Sequence, residues 1–277
     1  DSKGKVWYAC HTGLSVFDGN KYITIGAKDS LPPATVNKIF EDSKGNIFIA
    51  LRHSYTGYGG LFIIDENYKV INFLKKHGIQ EQGIEDVNED ESGNLIFSGW
   101  MGLYIYNDKK LKHLRYGDGM GSGQVQDILA DNSNLWLATT DGLVHYNGSK
   151  FTNHGIKVVN SYLRKVLKSP NDELFVIPRS TWNTSRSGIF RYDGFEFNVL
   201  KSSHLFNGVA DLVFDESGGM FFNTSEYLIF SKDEYSQSLS PKWSTNLNMT
   251  WITKIERSID GTLMIGTWES GAWKYDM

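Results

Sequence analysis

A polar turn followed at once by an apolar strand occurs seven times in this chain, and no other feature restricts the fold so strongly. The copies read "DSKGKVWYA", "DSKGNIFIA", "DESGNLIFS", "DNSNLWLA", "SPNDELFVI", "DESGGMFFN" and "SIDGTLMIG". Their turns end at residues 4, 45, 93, 134, 172, 218 and 261, so the period runs from 38 to 48 residues. A second anchor follows in each copy: a glycine (Gly13, Gly60, Gly102, Gly142, Gly188 and Gly271, with Glu226 in the sixth copy's place), then a strand ending in an aromatic residue or Ile. A period near forty, built of short strands, predicts four-stranded sheets packed side by side, because one such sheet cannot cover both its faces alone.

The second copy shows the four strands in order: "TVNKIFED", "NIFIAL", "GLFIID" and "KVINF", here called A (innermost) to D (outermost). Val, Ile, Phe, Trp and Tyr come in runs of four to six, punctuated by Gly, Asn and Asp, which excludes a helical repeat. The expected fold is an all-β, seven-bladed β-propeller of antiparallel blades over residues 1–277. The inner strand of blade 1 and the outer strand of blade 7 are expected to be missing, as in a piece of a longer multidomain protein. Asp at the first turn position accepts backbone amide bonds and Gly at the fourth tolerates positive φ, so the turns read as scaffold and not as a metal-binding array.

Bulk properties remove several function classes. A formal net charge of -4 with no run of like charges gives no footprint for nucleic acid. No apolar run approaches the ~18 residues that span a bilayer, so direct membrane insertion is not expected. The single cysteine, Cys10, reads as a small buried hydrophobe. The seven histidines show no zinc-binding spacing, there is no nucleophile elbow, and "GDGMGSG" at 117–123 has no helix to follow. Neither a metal nor a cofactor is called for, and catalytic residues are not expected.

The segments "EDSKGNIFIAL", "GGLFIID", "EDESGNLIFSGWMGLYIYND" and "NLWLATTDGLVHYNG" resemble the two-component regulator propeller repeat, which runs roughly as acidic-D-x-x-G-N-L-W-I-G-T and then G-G-L-x-x-Y. The Trp of that pattern survives here only as Trp7 and Trp136. The resemblance implies the sensory region of a hybrid two-component system, mostly of Bacteroidetes, placed outside the inner membrane and often recognising glycan fragments. A periplasmic setting, and a membrane helix and histidine kinase elsewhere in the parent protein, are implied with it.

In such a blade the A–B and C–D turns leave by one end, and the B–C loops and D–A crossovers by the other. The first set is short and uniform, whereas the second differs in every copy, as loops on a rigid frame do when they carry recognition. "RHSYTGYGG" brings Arg52, His53, Tyr55 and Tyr58, "PRSTWNTSRSG" brings Arg179, Trp182 and Arg186, and shorter loops bring Trp100 and the pair Trp268 and Glu269. Aromatic faces interleaved with Arg and carboxylate suit a small molecule or oligosaccharide, whose C–H faces stack and whose acidic groups pair with Arg. Two alternatives remain. One is a protein-interaction platform, including a homodimer through adjacent domains. The other is a propeller lyase or hydrolase, for which His11 and Glu269 are the candidate pair.

Overall fold

The structure, a computed structural model, describes residues 1–10, 13–52, 57, 59–121, 123–155, 162–179, 188–200, 208–224, 227–232, 235–239 (backbone only), 252–258, 260–267 and 271–275. It is the seven-bladed β-propeller that the repeat predicts, and it divides into two compact units, residues 1–155 and 156–277. Unit one holds four sheets. They comprise β1–β3 (Val6–Cys10, Gly13–Phe17, Tyr22–Ile25) and β4–β7 (Val36–Glu41, Ile47–Leu51, Gly60–Ile64, Val70–Asn72), then β8–β11 (Ile84–Glu89, Leu95–Gly99, Gly102–Tyr106, Leu111–Leu114) and β12–β15 (Val125–Asp131, Asn134–Thr139, Gly142–Tyr146, Phe151–Asn153). Unit two holds three: β16–β19 (Leu163–Lys168, Leu174–Pro178, Phe190–Tyr192, Phe197–Val199), β20–β23 (Asp211–Phe214, Met220–Asn223, Leu228–Lys232, Tyr235–Leu239) and β24–β26 (Ile252–Arg257, Leu263–Thr267, Ala272–Tyr275). Among the described residues the first and last sheets are three-stranded, as expected, the first without strand A and the last without strand D.

The core lies between sheets. β9 sends Ile96 to a cluster shared with Val125, Leu137 and Val144 of the following sheet, and Phe97 to one shared with Phe48 and Leu61 of the preceding sheet. Period-two alternation therefore buries both faces, which is why second strands such as "IFIAL" and "LFVIP" are apolar throughout. In unit two, Phe175 and Ile177 meet Leu212 and Phe222 in the same manner. Cys10 departs from expectation: it is exposed, because it ends β1, the edge strand of its sheet, opposite Gly13 at the hairpin.

The Asp turns behave as scaffold. Asp42 Oδ1 accepts from the amides of Lys44 (3.1 Å) and Asn46 (2.7 Å), and Asp90 repeats this with Ser92 (3.0 Å) and Asn94 (2.9 Å). The last residue of strand A then clamps the turn of the preceding sheet. Glu41 takes the amide and hydroxyl of Ser2 (2.6 and 2.5 Å), and Glu89 takes those of Ser43 (2.6 and 2.9 Å). Arg257 repeats the clamp with reversed charge on Glu216 (2.8 Å). Since the Ser43 clamp is exposed, Glu89→Ala should cost only about 0.5–1 kcal/mol. A double-mutant cycle with Ser43→Ala in urea should return most of that as coupling energy, and additive losses would show that the two residues do not act together.

Candidate functional site

The first strand of each four-stranded sheet is an edge strand, so its outward amides have no ladder partner and must be satisfied otherwise. Neighbouring first strands do this for one another. Asp86 on β8, 2% exposed, accepts from the amide of Ile128 on β12 (2.8 Å) and pairs with Lys38 on β4 (3.2 Å). In unit two, Asp211 on β20, 3% exposed, accepts from Ile255 on β24 (3.3 Å) and pairs with Lys165 on β16 and Lys254 (2.9 Å). Burial alone would raise the Asp211 pKa, but the ammonium groups of Lys254 and Lys165 outweigh it and hold the carboxyl well below its usual range.

One residue before Lys38, Asp86, Lys165 and Lys254, and likewise before Asp127, the strand is bulged, whereas β20 pairs in regular register from Asp211. The pairing register shifts between Val36 and Lys38, Ile84 and Asp86, Val125 and Asp127, Leu163 and Lys165, and Ile252 and Lys254. The extra residues are Asn37, Glu85, Gln126, Arg164 and Thr253, all polar, at the end of the sheet that carries the variable loops. A bulge re-aims the side chain it releases, so Asn37, Glu85 and Gln126 are candidate positions in unit one, and Arg164 and Thr253 in unit two.

Arg52 leaves β5 exposed, with its amide bonded to the Thr35 carbonyl (2.9 Å). Its guanidinium reaches the bulge residue Glu85 of the next sheet through Nη2 (2.8 Å) and Nε (3.3 Å), and Asn37 Nδ2 donates to the same carboxylate (3.0 Å). Arg52 is thus anchored at the site by a nearly buried acid rather than held ready in solvent.

Trp100 occupies the tight turn between β9 and β10, and the turn is bonded from several sides. Glu81, in the crossover before β8, accepts from the amide of Met101 (2.9 Å) and the hydroxyl of Tyr104 (3.4 Å). Tyr116 donates to the Gly99 carbonyl (3.1 Å), and His113 Nε2 lies 3.0 Å from the Met101 carbonyl. A carbonyl can only accept, so His113 carries its proton on Nε2. Behind the turn Phe97, Tyr104 and His113 stack, with centroid spacings of 5.0 and 4.2 Å. Burial, and after it the nearby charges of Glu81 and Glu85, push the Tyr116 hydroxyl up to about 12; burial and Glu81 also raise Tyr104. Both phenols are therefore fixed as neutral donors. Trp100 and Met101 stay exposed at 46% and 50%. Beside the turn lies an open depression of about 350 Å³ lined by Gly59, Leu74, Lys75, Gln80 and Glu81.

In unit two Arg179 follows β17, exposed. It donates to the Tyr162 hydroxyl (2.8 Å), and its guanidinium lies 5.0 Å from the centre of that ring. Of the residues expected from sequence, the structure places Arg52, Trp100 and Arg179; His53, Tyr55, Tyr58, Trp182, Arg186, Trp268 and Glu269, and also His11, lie outside the described residues. Glu81, Glu85, Asn37, Tyr116 and Tyr162 were not anticipated. Aligned first strands, "VNK", "IED", "VQD", "LRK" and "ITK", show a doubled polar step in an otherwise alternating pattern, and that step was the available signal. Among the described residues no cluster of three His, Cys, Asp or Glu could hold a metal ion, and no helix is long and apolar enough to cross a membrane.

No known family pattern and no curated protein matches the sequence. Solved structures do match its fold. The extracellular domain of a hybrid two component system of B. thetaiotaomicron superposes with a TM-score of 0.62 at 16% identity, over 99% of this chain and 45% of that one. Virginiamycin B lyase of Staphylococcus aureus gives 0.73 at 14% identity, over 99% and 91%. PorZ, a surface component of the type-IX secretion system of Porphyromonas gingivalis, gives 0.64 at 13%, over 98% and 35%. The chain thus spans under half the length of the two-component domain it matches. Identities this low carry the fold and not the activity, and structures of the kind that the repeat resembles are among those sharing this propeller.

Proposed function

We propose that this chain is the ligand-sensing propeller of a two-component signalling protein, placed outside the inner membrane, and that it recognises a carbohydrate fragment on its loop-rich ends. The observation that carries this reading is the Trp100 turn: a half-exposed indole on a backbone tied down by Glu81, Tyr116 and His113. A stacking surface fixed in advance loses little entropy when a sugar ring settles on it. The matching of extracellular sensor domains supports the setting.

Thermal shift against a panel of neutral and acidic oligosaccharides tests the reading. An active compound should raise the midpoint of the native chain, and Trp100→Ala should weaken its binding at least tenfold, about 1.4 kcal/mol, while moving the ligand-free midpoint little. A panel without any response would overturn the reading.

A second reading, a protein-interaction platform, draws on the adjacent exposure of Trp100 and Met101, a pair suited to the centre of an interface. It predicts a concentration-dependent dimer in light scattering that Trp100→Ala abolishes. The fold shared with virginiamycin B lyase keeps a catalytic reading in play, and turnover lost in both His11→Ala and Glu269→Ala would support it.

A further inference from the structure

The first strands of unit two are richer in cations than their own acids can neutralise. Asp211 is matched by two lysines, Lys165 and Lys254, of which Lys254 also lies 3.4 Å from Glu256. Arg164, the bulge residue of β16, is exposed and makes no hydrogen bond or ion pair among the described residues. It stands two residues along from Tyr162, beside fully buried Leu163, at the point where the pairing register shifts between Leu163 and Lys165 and the strand releases it at the loop-bearing end. Tyr162 in turn carries Arg179: the two backbones are joined by the Arg179 amide (2.9 Å), and the guanidinium is laid on the ring.

We propose that Arg164 and Arg179, flanking Tyr162 at the loop-bearing end of β16 and β17, form a binding site for the carboxylate of an acidic ligand. Two guanidinium forks suit a planar carboxylate, which each can take bidentately. The Tyr162 ring holds one of them in place before the ligand arrives. Lys165 is turned away to Asp211, so it does not compete for the anion. An exposed arginine released by a bulge is what such a site requires. Among the described residues no acid pairs with Arg164, so an inter-sheet ion pair such as those of Lys38 and Lys165 does not account for it there. The proposal rests on the reading of the loop-bearing ends as ligand-binding, and adds the charge of the ligand.

The test follows the arginine side-chain Nε–H resonances of the whole chain in ¹⁵N-labelled protein during titration with glucuronate. Glucose serves as the neutral control, and sodium chloride keeps the ionic strength constant. Saturable shifts of Arg164 and Arg179 with glucuronate alone are expected. Arg164→Gln should weaken the apparent affinity about tenfold, whereas Arg191→Gln, at an exposed arginine already paired with Glu173, should leave it unchanged. Shifts that track chloride or acetate as well as glucuronate, without saturation, would overturn the site, and so would a flat titration. A neutral oligosaccharide that stabilises the chain while glucuronate has no effect would remove the anion site and leave the sensor reading standing. Saturable glucuronate binding with a silent oligosaccharide panel would do the reverse.

Discussion

Asp211→Ala is expected to destabilise the chain by about 3 kcal/mol, because removing one partner of a buried charge network leaves the others uncompensated. The carboxylate holds Lys165, Lys254 and the amide of Ile255, and alanine would strand all three. Lys254 is half exposed and can turn to water, which keeps the estimate below the upper end of the range for buried pairs. The midpoint should fall by roughly 5–10 °C. Asp211→Asn, which keeps an acceptor for Ile255 but loses the charge, should fall between native and alanine. The pH dependence fixes the sign. The folded pKa of Asp211 lies below the unfolded value of about 3.9, so its contribution is complete above that value and is lost as pH falls towards the folded pKa. The gap between native chain and variant should therefore be constant from pH 6 to 8 and shrink below about pH 4. Urea unfolding at pH 7 and at pH 3 checks it. A gap under about 1 kcal/mol at neutral pH, or one unchanged at pH 3, would mean that the network contributes little.

What the sequence discloses follows from how locally each residue acts. Asp42 and Asp90 bond to amides two to four residues away, so the turn is written in adjacent letters. Where the turn glycine is missing, in "DNSN" and "SPND", Asn132 (φ 55°) and Asp172 (φ 63°) take the left-handed conformation, and the period stays visible. The site is written less locally. Glu85 meets Arg52, 33 residues earlier, and Glu81 fixes Met101, 20 residues later; neither acid sits in the loop whose shape it sets. A reading of the variable loops picks out Trp100 and Arg179 as candidates and overlooks the residues that hold them. The bulges escape for a related reason: an extra residue is defined by pairing with the next strand, and composition carries no record of pairing. Cys10 shows that an apolar neighbourhood in sequence is not burial when the strand lies at an edge.

The glycine of the second anchor yields the other large effect in the first and third sheets, where the geometry leaves no room for a side chain. Gly102 begins β10 at φ +131°, and a Cβ added there would lie 2.2 Å from the Leu114 carbonyl oxygen at the end of β11. Gly13 is the same device in the first sheet: φ +154°, and 2.3 Å from the Ile25 carbonyl oxygen. Strand C must pass this close to the backbone of strand D because Leu103 pairs with Leu114, and Leu14 with Ile25, one residue further on. Gly102→Ala therefore combines backbone strain of about 1–3 kcal/mol with a backbone clash of similar size, about 4 kcal/mol in all. The movement that relieves it would displace the turn holding Trp100, so ligand binding should weaken together with stability. Gly148→Ala sets the reference: its φ of +88° is also strained, but nothing lies within 4 Å of the new Cβ, and the loss should be near 1 kcal/mol. Gly60→Ala should fall between them, since its nearest obstacle at 3.3 Å is the Leu74 side chain, which can shift, rather than backbone. Thermal melts of the three variants should rank in that order. Were Gly102→Ala to lose no more than Gly148→Ala, the close approach of strands C and D could not be what requires glycine at Gly13 and Gly102.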